Sequence, residues 1–552
     1  MNLKVAIGQL NPTVGNLGGN TAKIIEWIRK ANHLKCHLLL FPELSITGYP
    51  IWDLANRKSF VDQNLEMLAQ IKEETQGKTM TIVLGFIDEA NAAKGRNYNS
   101  LAVIQNGKVI YKQAKTLLPT YDVFLEQVFF EPGTSQSVFE VRDMLMGGTI
   151  CEDLWDDDYA AKPIALLARQ GARVILNLSA SPYSCRAVLR RRELVQRKAK
   201  EHSVWIIYAN QVGGQDDLIF DGRSMVVSPA GEICYEAPAF KEELYVCDLG
   251  GEDVQTCVDL GKPISPKKEI QEIYDALVLG VADYIRKNGF QKVAIGLSGG
   301  IDSALVAAIA RDALGSKSVI GVGMPGPYSS EASLRDAQDL AKRLKIEFRV
   351  KPISPSYDLF LQSNLAPSQK KSNRVTLPME NLQARLRGLT LMYLSNEEGA
   401  LVLTTGNKSE LAMGYCTLYG DMCGGLSVIG DVYKTQVYEL AKYRNSISQV
   451  IPVSTIKKAP SAELRPNQKD QDSLPPYEIL DAILFQYIEE NQGADQIAEK
   501  LGGLNIARRV IDRVVSTVDH NEYKRRQLPP ALRITDKAWF GRRMPITNCF
   551  DV

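Results

Sequence analysis

Short apolar runs alternate with amphipathic stretches through the first half of the chain, at 3–9, 37–41 (HLLLF), 80–86 (MTIVLGF), 146–150, 172–178 (ARVILNL) and 204–210 (VWIIYAN). Runs of this length between helix-period segments predict strands alternating with helices. Leu101–Gln105 and Lys108–Lys112 flank Asn106-Gly107, a dipeptide suited to the two positive-φ positions of a tight hairpin turn, so this sheet is expected to be partly antiparallel. A second hairpin is expected at Ser228-Pro229-Ala230-Gly231. The stretch 246–267 holds three glycines and two prolines, loses periodicity and reads as a linker, with the boundary near 265. The pattern then restarts: a helix at about 268–287, a strand Lys292–Leu297, a helix from 303, a strand Ser318–Gly323, a helix from about 331 and a strand Glu347–Val350. That alternation predicts a parallel sheet. The expected division is therefore 1–250, a linker 251–265, and 266–552, with 454–476, rich in Pro, Ser, Asp and Lys, as a loop.

Length and composition narrow the class. At roughly 150 residues per domain, 552 residues need more than one core. With 45% hydrophobic and 23% charged residues, neither a disordered nor a fibrous chain fits. Sixty-five Lys and Arg against 64 Asp and Glu leave a net charge of +1, which argues against a nucleic acid or an anionic membrane as main partner and for small molecules. Nine cysteines with no Cys-x-x-Cys pair suit a reducing compartment, so a cytoplasmic protein is expected, and with only four histidines no transition-metal site is expected. The first residues run straight into a strand pattern and no 18-residue apolar stretch occurs, so neither secretion nor a membrane span is expected.

Three residues capable of chemistry follow apolar strands: Glu43 after HLLLFP, Lys115 after the second hairpin strand, and Cys151 after MGGTI. A thiolate can attack an amide carbon, a carboxylate can take the thiol proton, and an ammonium can stabilise the oxyanion. Taken singly, each also has a structural reading: a buried filler cysteine, a solvated lysine, a turn-capping glutamate. The segments FPELSITGYP (41–50), AKTLLPTYDVFLE (114–126) and ICEDLW (150–155) resemble, in order, the three signature segments of the nitrilase superfamily. That resemblance covers about residues 1–250. It implies an αββα sandwich with Cys151 as nucleophile, Glu43 as general base and Lys115 as oxyanion stabiliser. It also places Tyr121 and Glu126 where related glutaminase domains contact substrate or orient the triad, and Ser181 as a glutamine contact. The chain departs from the pattern at Ala187, beside Arg186, where related glutaminases carry Lys.

The strand ending at Leu297 delivers Ser298-Gly299-Gly300-Ile301-Asp302-Ser303 into a helix. Paired glycines let backbone N–H groups converge on phosphate oxygens at the positive end of the helix dipole. A carboxylate beside a pyrophosphate makes sense with a cation between them, so Asp302 implies Mg²⁺. The alternative is a tight turn with Asp302 and Ser303 as caps. SGGIDS resembles the loop of the ATP pyrophosphatase family, whose members split ATP between its α and β phosphates to adenylate a substrate, and it lacks the Lys of Walker A.

Segments MPGPYSSEASL (324–334), ENLQARLRG (380–388), TTGNKSELAMGYCTLYGDMCGGLSVIGDVYKT (404–435), PSAELRPNQKDQDSLPPYEILD (460–481) and YKRRQLPPALRITDKAWFGRRMP (523–545) resemble the synthetase domain of glutamine-dependent NAD synthetases. With the nitrilase-like half in front, the resemblance covers nearly the whole chain. It implies a Rossmann-like doubly wound parallel sheet that binds ATP through Gly296, Leu297, Ser298, Gly299, Gly300, Ile301, Asp302, Ser303, Thr405, Lys434 and Ser461. Asp302 and Glu410 would hold Mg²⁺. Asn381, Arg385, Glu410, Asp421 and Lys524 would contact deamido-NAD. A homo-oligomer is implied on the same ground.

Three other signals are set aside. Gly321-Val-Gly323-Met-Pro-Gly326 matches G-x-G-x-x-G, but Pro325 and Pro327 oppose an immediate helix start. His33, Cys36 and His37 span a helix end and a strand start, which favours packing over a metal cluster. The basic run Arg186–Lys200 reads as a solvated or subunit-facing helix, with Glu193 interleaved and no aromatic partners. The expected function is amidation of deamido-NAD with ATP and Mg²⁺, using ammonia from glutamine and passing it through a shielded passage. The alternatives are an amide ligase of the same type acting on another carboxylate, or an ammonia-dependent synthetase with a non-catalytic nitrilase-like half.

Overall fold

The computed structural model describes residues 3–89, 96–249, 269–364 and 375–547. Two compact units divide the chain, Met1–Pro266 and Lys267–Val552. The linker expected at 251–265 lies outside the described residues.

The first unit holds two six-stranded sheets. One takes the order Glu243–Leu249, Leu3–Gln9, Leu38–Leu40, Thr81–Asp88, Tyr98–Gln105, Lys108–Ala114. The other takes the order Ile233–Glu236, Met225–Val227, Trp205–Asn210, Val174–Ser179, Met144–Ile150, Val138–Val141. Period-2 alternation decides what each strand faces. Val5, Ile7, Leu38, Leu40 and Val83 meet Ile150, Leu176, Leu178 and Ile207 in one core between the sheets. Their neighbours Ala6, Leu39, Ile82 and Leu84 face outward and pack with Ile24, Ile28 and Leu68 of the helices Leu17–His33 and Lys58–Glu74. On the far side, Ile175, Ile206 and Tyr208 pack with Ile164, Leu167, Leu194 and Val195 of Pro163–Arg169 and Ala187–His202. The layers are αββα. Asn106 and Gly107 turn the expected hairpin at φ 46° and 75°. Met225–Val227 and Ile233–Glu236 form the second hairpin around Ser228–Gly231.

Two expectations need correction here. Residues 246–249 are not linker: Glu243–Leu249 pairs antiparallel with Leu3–Gln9 along its whole length. The basic helix is not simply solvated, because Arg191 and Lys198 are buried, paired with Asp221 and Asp156 respectively.

The second unit carries a five-stranded, all-parallel sheet in the order Glu347–Val350, Val319–Gly323, Lys292–Gly296, Ala400–Thr404, Leu426–Ser427. Its first strand in sequence lies at the centre and the order reverses beside it, between Lys292–Gly296 and Ala400–Thr404. In an open parallel sheet the crevice at the carboxyl ends of such a strand pair is where ligands sit. Helices Glu269–Lys287, Ile301–Leu314 and Lys434–Ile447 pack together, and Ala294, Val322 and Val402 meet Leu391 and Leu394 of Leu377–Glu398. After Gly323 no helix begins until Glu331. The stretch expected as a loop at 454–476 includes a short helix, Val453–Lys457.

Candidate active sites

Glu43, Lys115 and Cys151 stand at the ends of three strands, two in one sheet and one in the other. The Lys115 ammonium donates to Glu43 Oε1 at 2.8 Å and to Glu126 Oε1 at 2.7 Å. Asn99 Nδ2 donates to Glu43 Oε1 at 2.6 Å, the Ala180 N–H to Glu43 Oε2 at 3.0 Å, and Tyr49 OH to Glu126 Oε1 at 2.9 Å. Both reactive partners are sealed, Lys115 at 1% exposure and Glu43 at 0%. Gly85 makes the Glu43 turn possible: a Cβ there would lie 2.2 Å from Leu44 N and 2.7 Å from Glu43 C. Burial pushes the Cys151 thiol well above its usual range and the Glu43 charge adds to that, while Lys115 opposes both. The resting thiol is therefore protonated beside a carboxylate placed to take its proton. Burial works against the Lys115 ammonium, yet the Glu126 and Glu43 carboxylates outweigh it and hold the lysine charged.

Tyr121 lies half exposed and donates to Glu152 at 3.0 Å, as does Tyr159 at 2.9 Å. Ser181 is held by its N–H on Asn210 Oδ1 at 2.9 Å. Where the sequence departs at Ala187, the structure offers Arg191 one helical turn on, with Nη1 3.5 Å from Ser181 Oγ. The sequence reading missed Asn99, Tyr49, Glu152, Asp153 and Arg191. Glu152 and Asp153, adjoining Cys151, Tyr49 in the segment around Glu43 and Arg191 in the basic run carried a local signal.

In the second unit the loop after Gly296 forms at the predicted place. Leu297 N–H joins Val322 O at 2.9 Å, continuing the ladder, and Ser303 Oγ sits 3.3 Å from the Ser298 N–H and donates to Gly300 O at 3.1 Å. Gly300 caps the helix Ile301–Leu314. Gly299 takes φ 78°, and a Cβ there would lie 2.3 Å from Ser333 O. Across the strand-order reversal, Asn407 Nδ2 donates to Asp302 Oδ1 at 2.9 Å. Lys434 Nζ pairs with Asp302 Oδ2 and, at 3.1 Å, with Glu410 Oε1. Thr405 follows the strand Ala400–Thr404 directly. Ser461 donates to Gln468 O at 2.6 Å in its own loop.

The residues expected at deamido-NAD gather on one segment. Thr417 donates through Oγ1 to Asn381 Oδ1 at 3.0 Å and through N–H to Asp421 Oδ1 at 2.7 Å. Arg385 Nε reaches Leu418 O at 3.2 Å, and Lys524 Nζ reaches Gly414 O and Cys416 O at 2.7 and 2.9 Å. The sequence reading missed Asn407 and also Lys408, which is fully buried 2.8 Å from Asp431 and anchors the short helix carrying Glu410.

The donor set suits Mg²⁺. Asp302 and Glu410 converge on one ammonium, and Asp470 adds a third negative charge to their surroundings. Among the described residues no three ligand-type side chains could hold a metal unaided. Mg²⁺ is commonly bound by one or two carboxylates plus substrate phosphates, and Asp302 and Glu410 are two such carboxylates. Burial pushes the Glu410 carboxyl up to about 8, with Lys434 pulling it down and Asp302 pushing it further up.

The carbon-nitrogen hydrolase family model matches residues 4–257 and the NAD synthase model residues 273–529. A glutamine-dependent NAD(+) synthetase of Acinetobacter baylyi is 44% identical over 99% of this chain and 98% of its own. The chain belongs to the glutamine-dependent NAD(+) synthetase family. The family member from Thermotoga maritima is 42% identical over 99% of both chains. A solved family structure from Acinetobacter baumannii, in complex with ADP, is 41% identical with a TM-score of 0.77 over 99% of both chains. One from Cytophaga hutchinsonii, 21% identical, matches the fold with a TM-score of 0.84 over 100% of this chain and 98% of that one.

Proposed function

We propose that this chain amidates deamido-NAD to NAD with ATP, using ammonia that its first unit releases from glutamine. The observation that carries the reading is the sealed Glu43–Lys115–Glu126 cluster beside Cys151, in one chain with a glycine-turn phosphate loop closed by Asp302 and Lys434.

Cys151 Sγ attacks the glutamine side-chain carbonyl while Glu43 takes the thiol proton and then delivers it to the departing ammonia. The Lys115 ammonium, fixed between two carboxylates, stabilises the oxyanion without reorganising. Water admitted to the same position hydrolyses the thioester, with Glu43 again as base, and glutamate leaves. Tyr121 and Ser181 would contact the amino-acid end of glutamine, with Arg191 behind Ser181. In the second unit the N–H groups around Gly299 and Gly300 and the helix Ile301–Leu314 receive ATP phosphates. The acceptor carboxylate attacks the α-phosphorus and pyrophosphate leaves; ammonia then displaces AMP. Asp302 and Glu410 would hold Mg²⁺, which when bound would supply charge to offset the crowded phosphate oxygens. Lys434 lies between those carboxylates and is placed to follow the phosphates. Ser461 and Thr405 flank them, while Asn381, Arg385, Asp421 and Lys524 shape the acceptor side.

The reading extends to a cytoplasmic homo-oligomer, supported by the family resemblance and the unpatterned cysteines. No helix among the described residues is long and apolar enough to cross a membrane. The test compares glutamine with ammonium as nitrogen source for NAD formation, in the wild type and in Cys151→Ala. The wild type is expected to use both and the variant ammonium alone, its glutamine-supported rate falling on the order of 10³-fold or more. A wild type that works with neither source removes the acceptor assignment.

A further inference from the structure

Asp153 lies two residues past Cys151 and is fully buried. Its Oδ1 accepts the N–H groups of Thr116 at 3.0 Å and Leu117 at 2.9 Å, the two residues that follow Lys115. Its Oδ2 accepts the N–H of Ile150 at 3.0 Å, the residue before Cys151. One carboxylate thus joins the chain leaving the lysine to the chain entering the cysteine.

The other ties nearby are less direct: the Gly133 N–H reaches Lys115 O at 2.7 Å and Gln136 Nε2 reaches Thr116 Oγ1 at 2.9 Å, both on the segment that leads into Val138–Val141 and only through it to the cysteine strand. Lys115 follows the strand Lys108–Ala114 in one sheet, and Cys151 follows Met144–Ile150 in the other. Among the described residues no strand of one sheet pairs with a strand of the other, and around these two residues the sheets meet chiefly through apolar side chains, whose attraction is not directional. A sandwich held so can slide by fractions of an ångström at little cost, whereas oxyanion stabilisation depends on placement at that scale. Three charge-assisted bonds to two strand ends resist the slide where it matters. Glu43 makes a comparable tie through the Ala180 N–H at 3.0 Å, but Glu43 is itself the base. Cys151 takes φ 41°, and the Ile150 bond holds the turn from which the sulfur projects.

We propose that Asp153 is a positioning residue of the glutaminase half-reaction, fixing Lys115 relative to Cys151 across the two sheets; this rests on the glutaminase reading above. Asp153→Asn is nearly isosteric and retains one oxygen, while its new amide N–H groups meet a backbone donor. The glutamine-supported kcat is expected to fall by roughly 10- to 100-fold, with KM for glutamine within about threefold because the substrate's own contacts are untouched. Ammonium-supported NAD formation should stay at the wild-type rate. Alkylation of Cys151 by iodoacetamide, which needs no oxyanion stabiliser, should also keep its wild-type rate. Wild-type kcat in the variant overturns the proposal. So does a parallel loss of kcat, KM, alkylation and ammonium-supported rate, which would make Asp153 a residue of the fold at large. Should Asp153→Asn not yield folded protein, Asp153→Glu keeps the charge but displaces it by one methylene, and the same split is expected, with an unchanged kcat overturning the role. A wild type that cannot use glutamine is a different result: it removes the glutaminase reading, and with it the reaction that Asp153 would serve.

Discussion

Each candidate site places a lysine between two carboxylates, and the two clusters behave as opposites. Lys115, Glu43 and Glu126 have side chains exposed by 1%, 0% and 5%. Around Lys434, Asp302 and Glu410 remain exposed by 18% and 17%. The first cluster is also crowded: Asn99 joins the lysine on Glu43 Oε1, Tyr49 joins it on Glu126 Oε1, and the Ala180 N–H takes Glu43 Oε2. In the second, Asp302 has Asn407 besides the lysine and stays partly open to water. A sealed triad is a finished piece of machinery whose charges already stand where the reaction needs them. An open one awaits a polyanion and a cation, and its lysine is a placeholder for charge that the ligand brings.

The largest effects should separate the two by what is lost. Lys434→Ala is expected to reduce NAD formation from glutamine and from ammonium alike, by on the order of 10²- to 10³-fold. Lys434 is itself buried, but water reaches both of its carboxylates, so unfolding should shift by about 1–3 kcal/mol, less than in the sealed cluster. Lys115→Ala should remove about 3 kcal/mol of transition-state stabilisation from the glutamine-supported rate alone. It also strands two carboxylates without water or cation, so the first unit should lose ~3–5 kcal/mol of stability. Steady-state rates with both nitrogen sources and thermal melts of the same samples decide the matter. A large melt shift in Lys434→Ala and none in Lys115→Ala would invert the comparison.

Two glycines test the same contrast at smaller scale. An added Cβ would press on the Glu43 turn at Gly85 and on Ser333 O at Gly299, where the positive φ adds strain. Each alanine variant should cost ~1–3 kcal/mol of stability, by overpacking in the first case and by strain and overpacking in the second. Gly85→Ala should impair glutamine use only, and Gly299→Ala both nitrogen sources, as judged by the ratio of the two rates.

Much of this was legible because the reactive residues sit at strand ends, where short apolar runs announce themselves. HLLLF, MGGTI and the strand before SGGIDS located Glu43, Cys151 and the phosphate loop, and Asn106-Gly107 located the hairpin that leads to Lys115. What escaped depends on residues far apart in sequence. Residues 246–249 looked like the start of a linker because the partner of their strand, Leu3–Gln9, lies at the other end of the unit. The run Arg186–Lys200 looked solvated because Asp156 and Asp221, which neutralise its inward face, come from other elements. Its periodicity did carry a trace: Val188, Arg191, Leu194, Val195 and Lys198 fall on one helical face, and all are buried. Asn99 and Asn407 gave even less, since a donor that orders other groups has no chemistry of its own to display.

The smallest effect expected is also the one that sets stability against activity inside the sealed site. Burial pushes the Asp153 carboxyl up to about 7, although the Ile150, Leu117 and Thr116 N–H groups favour its charged form. Between the ordinary carboxyl range and about 7 the folded protein therefore keeps a proton that the unfolded chain has released. The sign follows: this group's contribution to stability is full in acid and is lost as pH rises through about 7, at a slope of no more than about 1.4 kcal/mol per pH unit. Activity runs the other way, because a neutral carboxyl holds the three N–H groups more weakly and the glutamine-supported kcat should decline below about 7. Melts at pH 5.5 and pH 8 compare the wild type with Asp153→Asn, where the variant should show the shallower dependence. Equal slopes would mean that the carboxylate is charged throughout, and the acid decline in kcat would then belong to another group, with Glu126, also raised by burial, the first to replace.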